Sequence, residues 1–450
     1  MAKQLDFGKG KVGTLIIRQA IPLTIAELVH LLYNIVDRIY IGHLPEVGGM
    51  ALTGIGLTFP IITLVTAFTR LFSSGGGPLY AMARGSQNEE RAGRLMGNVL
   101  SALLFCGVFL TVFGYLFERP ILYLFGASDA SYVYAHDYLN IYLIGTVFTM
   151  IATGMNVFIN AQGYPQTGMK TVLIGAVINL LLDPLFIFQL NMGVKGAAWA
   201  SIIGQAASAF WVLRFLFDPH NPQRLKREKM KIEFPLLKEI MKVGATGFCF
   251  AATSSLTQIL CNATLQNYGG DIYVGVMSVL NSVREITSLP SNGVGSGAQP
   301  VLSYNYGARK YGRVKEGIRF FTLVNLVYLL LIWAIVFVFP GFFIRLFSED
   351  ASLLQEGVPA LRLFFFGYAF IALQFSGQQT FQALGKAKQA VFFSLLRKVV
   401  IVAPLTVLLP AMGFGVNGVF AAEPISNIIG GTASFVTMWL TLYRKLPDDE

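Results

Sequence analysis

Apolar stretches of roughly 20 residues or more recur from one end of the chain to the other, separated by short polar or glycine-rich breaks, and each is long enough to cross a bilayer as a helix. The pattern predicts six spans in the first half, near residues 14–41, 52–80, 95–117, 136–161, 168–190 and 194–217. It predicts six more near 238–265, 273–303, 317–344, 358–383, 389–410 and 416–443. Between the two sets lies the only long polar stretch, Asp218–Pro235. The expected fold is an all-α integral membrane protein, with an N-terminal six-helix lobe (1–217), a linker (218–237) and a C-terminal six-helix lobe (238–450).

The two halves repeat. An offset of 222 residues sets Phe125–Ser128 (FGAS) on Phe347–Asp350 (FSED), Asn160–Gly163 (NAQG) on Gln382–Gly385 (QALG), and Gly193–Gly196 (GVKG) on Gly415–Gly418 (GVNG). Pro78, Gly85 and Arg91 fall on Pro300, Gly307 and Arg313 at the same offset. With an even number of spans in each half, the lobes have the same topology and are expected to be related by a pseudo-two-fold along the membrane normal, as in transporters.

Composition supports this reading. Of 450 residues 54% are hydrophobic and 13% charged, against about 25% charged in soluble domains, and the mean hydropathy is +0.60. The net charge of +10 needs no nucleic-acid partner, because Lys and Arg gather in cytoplasmic loops. Lys3, Lys9, Lys11, Arg84, Arg91, Arg94, Lys170, the linker cluster, Arg309, Lys310, Arg313, Lys315, Lys386, Lys388, Arg444 and Lys445 fall on one side, and only Arg119, Lys195 and Arg345, near helix ends, on the other. Both termini are therefore expected to be cytoplasmic. Cys106, Cys249 and Cys261 lie in apolar runs without CxxC spacing, so neither a disulfide framework nor a zinc site is indicated.

Polar residues inside the spans are the candidate chemistry, since a carboxylate at membrane depth marks function by default. Gly175–Leu190 is apolar, yet it holds Asn179, Asp183 and Pro184. Asn179 and Asp183 are four apart and share a helix face. Pro184 frees a backbone carbonyl beside them. On the first span Glu27, His30, Asn34 and Asp37 form one polar stripe above a kink point at Pro22. At 1.5 Å per residue Asp37, Asp183 and Ser201 each lie about 10 Å below the outer surface, so three helices bring oxygen ligands to one level. Two carboxylates there resist simultaneous ionisation, and the set suits H⁺ or Na⁺.

The second lobe differs. Its stripes are amides, Gln258, Asn262 and Gln266 on the seventh span and Gln374, Gln378 and Gln382 on the tenth. Its buried charges are Arg284, Glu285, Arg397, Lys398 and Glu423, the basic ones expected to pair with acids or to snorkel. Leu405 stands at the repeat position of Asp183, so the acidic site is not duplicated. Glycine runs at Ser73–Pro78 and Gly293–Pro300 follow no strand and lack the GKS/GKT ending; they suit close helix packing and not a phosphate loop.

The first span with AIPL and NIVDRIYIGHL, the fifth with NLLLDP, and QPVLSYNYGARK at Gln299–Lys310 resemble the multidrug and toxic compound extrusion (MATE) family, in its DinF/MepA-like bacterial branch. The resemblance covers nearly the whole chain. It implies an antiporter of the bacterial inner membrane, taken as a monomer, that expels organic cations while H⁺ or Na⁺ enters. It assigns the coupling cation to Asp37, Asn179, Asp183 and Ser201, with Ser201 where relatives often carry threonine, and it implies bending of the first helix near Pro22. Glu27, His30, Asn34, Gln258, Asn262, Glu285, Gln374 and Gln378 are the substrate-cavity candidates. No cofactor is expected beyond the coupling ion. The main alternative is a lipid-linked-oligosaccharide flippase of related fold, which would want a cavity rich in Arg and Lys. A membrane-embedded enzyme would need a motif such as HExxH or GxSxG, and neither occurs.

Overall fold

A computed structural model describes residues 4–44, 48–347 and 350–447, which are helical apart from short connections. The first half contains α1 (Val12–Gly42), α2 (Gly48–Gly85), α3 (Glu89–Leu124), α4 (Asp129–Ala161), α5 (Pro165–Pro184) and α6 (Val194–Phe217). The second contains α7 (Phe234–Gly269), α8 (Asp271–Gly307), α9 (Tyr311–Val338), the short α10 (Pro340–Arg345), α11 (Ala351–Phe365), α12 (Ile371–Ala383), α13 (Ala387–Leu395), α14 (Ala403–Leu409) and α15 (Gly415–Thr441).

Among the described residues nine helical segments are long and apolar enough to span a membrane, and a tenth is formed by α11 and α12, bent by 40°. Two features reconcile these with the twelve expected spans. The segment Ala387–Lys445 is continuous but contains both of the last two spans, broken where Gly413 and Gly415 take positive φ. Helix α8 is as long as its neighbours, but its charged and amide residues lower its hydropathy.

The backbone carries the internal repeat. Positive φ occurs at Gln87, Gly163, Asn191 and Gly193, and again at Arg309, Gly385, Gly413 and Gly415. Each of the second set lies 222 residues after its counterpart. Three of these eight positions hold a side chain in the left-handed region, a conformation that L-residues adopt uncommonly, so the agreement is one of chain path and not of composition.

The helices pack into two compact units. The first comprises Ile21–Phe248 with the described residues of Met1–Asp6; the second comprises Cys249–Glu450, as far as it is described, with Phe7–Ala20. Helix α1 thus changes unit just before Pro22, and α7 changes unit at Phe248. Glycines permit the close approaches. In the first unit a Cβ on Gly244 of α7 would stand 1.7 Å from the Leu71 carbonyl oxygen of α2. In the second, a Cβ on Gly297 of α8 would stand 2.7 Å from the Ala20 nitrogen.

The linker is ordered. Residues 227–230 form a short 3₁₀ turn beside α3, where Asn98 donates to the Lys231 carbonyl at 3.3 Å and accepts from the Glu233 N–H at 2.7 Å. In the second unit Asn305 and Arg313 donate to the Phe7 carbonyl at 3.0 and 3.1 Å, and Arg313 to that of Gly10 at 2.8 Å. Outward faces are apolar, with Phe105, Leu116, Leu124 and Phe210 each more than two-thirds exposed. Exposed apolar area on this scale suits hydrocarbon and not water.

Candidate functional site

The site is built where α5 and α6 cross. A Cβ on Gly204 would come within 2.7 Å of the Gly175 carbonyl oxygen, and one on Gly175 within 2.5 Å of Ser208 Oγ. Small residues on both helices therefore let the backbones approach, as membrane helices commonly do. One turn beyond this crossing Asn179 faces α6, and its Nδ2 donates to Ser201 Oγ at 3.3 Å and to Asp183 Oδ1 at 3.2 Å. A single amide thus ties a hydroxyl on one helix to a carboxylate on the other.

Asp183 is fully buried and Asn179 is 3% exposed. The second carboxylate oxygen of Asp183 is buried without a hydrogen-bond partner, and so is one oxygen of Asp37. Asp37 is near enough for its charge to act on Asp183. A bare oxygen on a buried carboxylate is costly unless a proton or cation meets it. The bare Asp183 oxygen, the Asn179 amide and the Ser201 hydroxyl are the kind of hard donors that suit H⁺ or Na⁺. Among the described residues no three His, Cys, Asp or Glu side chains converge as a metal-binding group.

An apolar cluster fixes this level of the unit: Ile41 of α1, Ala51 and Ile55 of α2, Tyr138 of α4, Ile187, and Ala197 and Ala198 of α6. Pro184 ends α5, and the chain continues as a widened π turn over Leu185–Gln189 that seats Ile187 in the cluster. Beside the site opens a cavity of about 170 Å³, lined from α1, α4, α5 and α6 by residues that include His30, Tyr33, Asn156, Thr171, Asn179 and Ser201. Asn34 Nδ2 lies 3.0 Å from His30 Nδ1 and donates to the His30 carbonyl at 2.7 Å, which orients the imidazole. Glu27 is exposed on the same helix.

Spacing could have found three further residues. Tyr33 lies three after His30 and four before Asp37, and Gln205 lies four after Ser201. The Tyr33 hydroxyl approaches Gln205, and the Tyr138 hydroxyl approaches Ser201. Tyr138 lies on a stripe of α4 that runs through Tyr142, Thr146, Thr149, Thr153 and Asn156 at steps of three and four, so the same rule would have marked it.

The second unit is organised around one acid. Glu423 of α15 accepts from Arg284 at 3.3 Å, Arg397 at 2.8 Å and Lys398 at 3.1 Å. Arg397 also donates to Gln374, whose amide donates to Gln378 at 3.3 Å. Asn281 donates to Gln258 at 2.9 Å, and Gln258 to Asn262 at 3.0 Å, so these amides satisfy one another. Glu285, expected to be buried, is exposed.

The family model MatE matches residues 22–185 and 249–408. The multidrug export protein MepA of Staphylococcus haemolyticus (strain JCSC1435) is 24% identical over 433 residues, covering 96% of this chain and 94% of that protein. MepA of Staphylococcus aureus (strain bovine RF122 / ET3-1) is 22% identical over 442 residues, covering 98% and 97%. The outward-facing conformation of a multidrug resistance MATE family transporter superposes with a TM-score of 0.91 at 20% identity, over 98% of this chain and all of that one. At that identity the superposition speaks to the fold alone.

Proposed function

The chain belongs to the MatE family of membrane transporters, and on that premise we propose that it is a multidrug efflux antiporter coupled to inward movement of H⁺ or Na⁺. Its substrates are small organic compounds, often cationic and aromatic. The coupling site is Asp37, Asn179, Asp183 and Ser201. The observation that carries this reading is the fully buried Asp183, with one oxygen tied through Asn179 to Ser201 and the other bare, beside a cavity in the same unit.

The mechanism follows from charge. With both carboxylates ionised, the site attracts cations and the adjoining cavity favours a cationic guest. A proton or Na⁺ on Asp183 and Asp37 removes that negative charge, so ion and drug compete for one electrostatic well. Competition of this kind is what exchange requires, because each ligand shifts the equilibrium only by its differential affinity. Asn179 and Ser201 are neutral oxygens that matter to Na⁺ and little to a proton. Pro22 is the proposed hinge, since it interrupts the α1 hydrogen-bond ladder where the helix leaves one packing unit for the other. Pro184, at the end of α5, is the second. The six-helix lobes 1–217 and 238–450, joined by the linker 218–237, rock about these points as a monomer in a bacterial inner membrane with both termini cytoplasmic.

The test is uptake of an ethidium-like dye into everted proteoliposomes under a pH gradient alone and a Na⁺ gradient alone. Dye movement against its own gradient under at least one of them is expected. Equal, gradient-independent leakage from vesicles with and without protein would refute antiport.

A further inference from the structure

The internal repeat places the C-terminal charge cluster on the counterparts of the N-terminal cavity. At the offset of 222, Arg397 and Lys398 stand where Gly175 and Ala176 stand, Gln374 and Gln378 where Ala152 and Asn156 stand, and Glu423 where Ser201 stands. All five first-half residues line the N-terminal cavity. The same region of the repeated fold thus holds small and neutral side chains in one half and two cations beside one carboxylate in the other. Adding Arg284, whose counterpart is Ile62, leaves a net charge of +2 on side chains that lie within 3.3 Å of Glu423.

Such a surplus is hard to explain as scaffolding. One buried acid with one buried base would be neutral; a second buried cation, with the part-exposed Arg284 beside it, carries a desolvation cost that Glu423 alone does not offset. Arg397 and Lys398 are both under a tenth exposed. Arg397 spends its terminal nitrogens on Glu423 and Gln374, and its Nε is buried without a partner. Access exists on one side, where the Arg284 side chain is 30% exposed and its guanidinium sits 5.6 Å from the Phe364 ring centroid. Arginines with free N–H groups beside an aromatic face are suited to bind a planar oxyanion attached to an apolar body.

We propose that Arg284, Arg397 and Lys398, held in place by Glu423, form an oxyanion subsite that takes the carboxylate or phosphate of an amphiphilic organic compound. Where that compound is transported, the inference rests on the export reading and extends its substrate class to molecules carrying an oxyanion as well as a cationic centre. Glu423 is then a positioning residue: it keeps three mutually repelling cations together and leaves a positive field for the ligand.

The experiment compares binding of tetramethylrhodamine with its free carboxylate and as its methyl ester, by fluorescence anisotropy with the purified full-length protein in detergent. The two dyes share one cation and differ only in the oxyanion. Wild type is expected to prefer the free acid by about tenfold or more, the scale of a charge-assisted contact. Arg284→Gln and Lys398→Gln should each cut that preference severalfold while both variants still bind the cationic ester, which reports the folded state. Equal binding of acid and ester by wild type would overturn the proposal without recourse to any variant, and so would an undiminished preference in both variants. Repeating the measurement with inorganic phosphate, and in nanodiscs of phosphatidylglycerol or phosphatidylcholine, separates the sources of the anion. Competition by phosphate supports a soluble oxyanion, and competition by phosphatidylglycerol alone supports a lipid headgroup. No gradient is involved, so a wild-type protein without gradient-driven export would sink the export reading and leave this one standing.

Discussion

Replacing Asp183 by Asn keeps the shape of the side chain and removes its charge. Its Oδ1 accepts a single bond, 3.2 Å from the Asn179 amide, and its Oδ2 has none. The folded state therefore loses no more than one hydrogen bond to a neutral donor, about 1 kcal/mol, and sheds the cost of a buried and under-satisfied carboxylate. Thermal stability should be unchanged or higher. Ion binding loses far more. A unit charge about 4 Å away is worth roughly 4 kcal/mol at an effective dielectric constant near 20, which is about 10³-fold in affinity at 1.4 kcal/mol per tenfold. A coupling ion bound that weakly no longer competes with substrate, so gradient-driven dye transport should vanish while the melting temperature holds. The assay pairs proteoliposome transport under separate pH and Na⁺ gradients with a thermal melt of the same preparation. Wild-type transport by Asp183→Asn under both gradients would refute the reasoning and reduce Asp183 to a helix-packing residue.

Other expectations follow from the same geometry. Ser201→Ala removes the acceptor of the Asn179 bond at 3.3 Å and should raise the Na⁺ concentration for half-maximal transport severalfold while leaving proton-driven transport within about twofold, because a proton needs no additional oxygen ligand; equal losses under both gradients would contradict this. Gly204→Val forces a side chain against the Gly175 carbonyl, and should cost about 1–3 kcal/mol of stability and abolish transport even though it alters no candidate ligand; a circular-dichroism melt with a transport assay checks both. Gln258→Ala breaks its bonds to Asn262 and Asn281 and should change the range or affinity of transported dyes without uncoupling them from the ion. Loss of gradient dependence in that variant would mean that coupling extends into the second unit.

The hydrophobic pattern was enough to place the helices, because a bilayer leaves the backbone no alternative to internal hydrogen bonding and the required length is fixed. The repeat was equally legible, and the positive φ angles at Gln87 and Arg309, or Gly193 and Gly415, fall at its offset of 222. Helical spacing placed Asn179 beside Asp183, and counting from the helix ends put Ser201 at the same level. The rest depended on contacts between distant segments. Nothing local to Tyr138 indicates that it faces Ser201, since that depends on how α4 packs against α6. Nor does local sequence show that Arg284, Arg397 and Lys398 share Glu423, for the four side chains come from three segments up to 139 residues apart. The chain likewise gives no sign that residues 7–20 pack with the second unit or 234–248 with the first, because an apolar face is no more specific for one lobe than for the other. Periodicity reports which face of a helix is buried, while the partner it meets is set by shape and by polar groups that have to be satisfied across the interface.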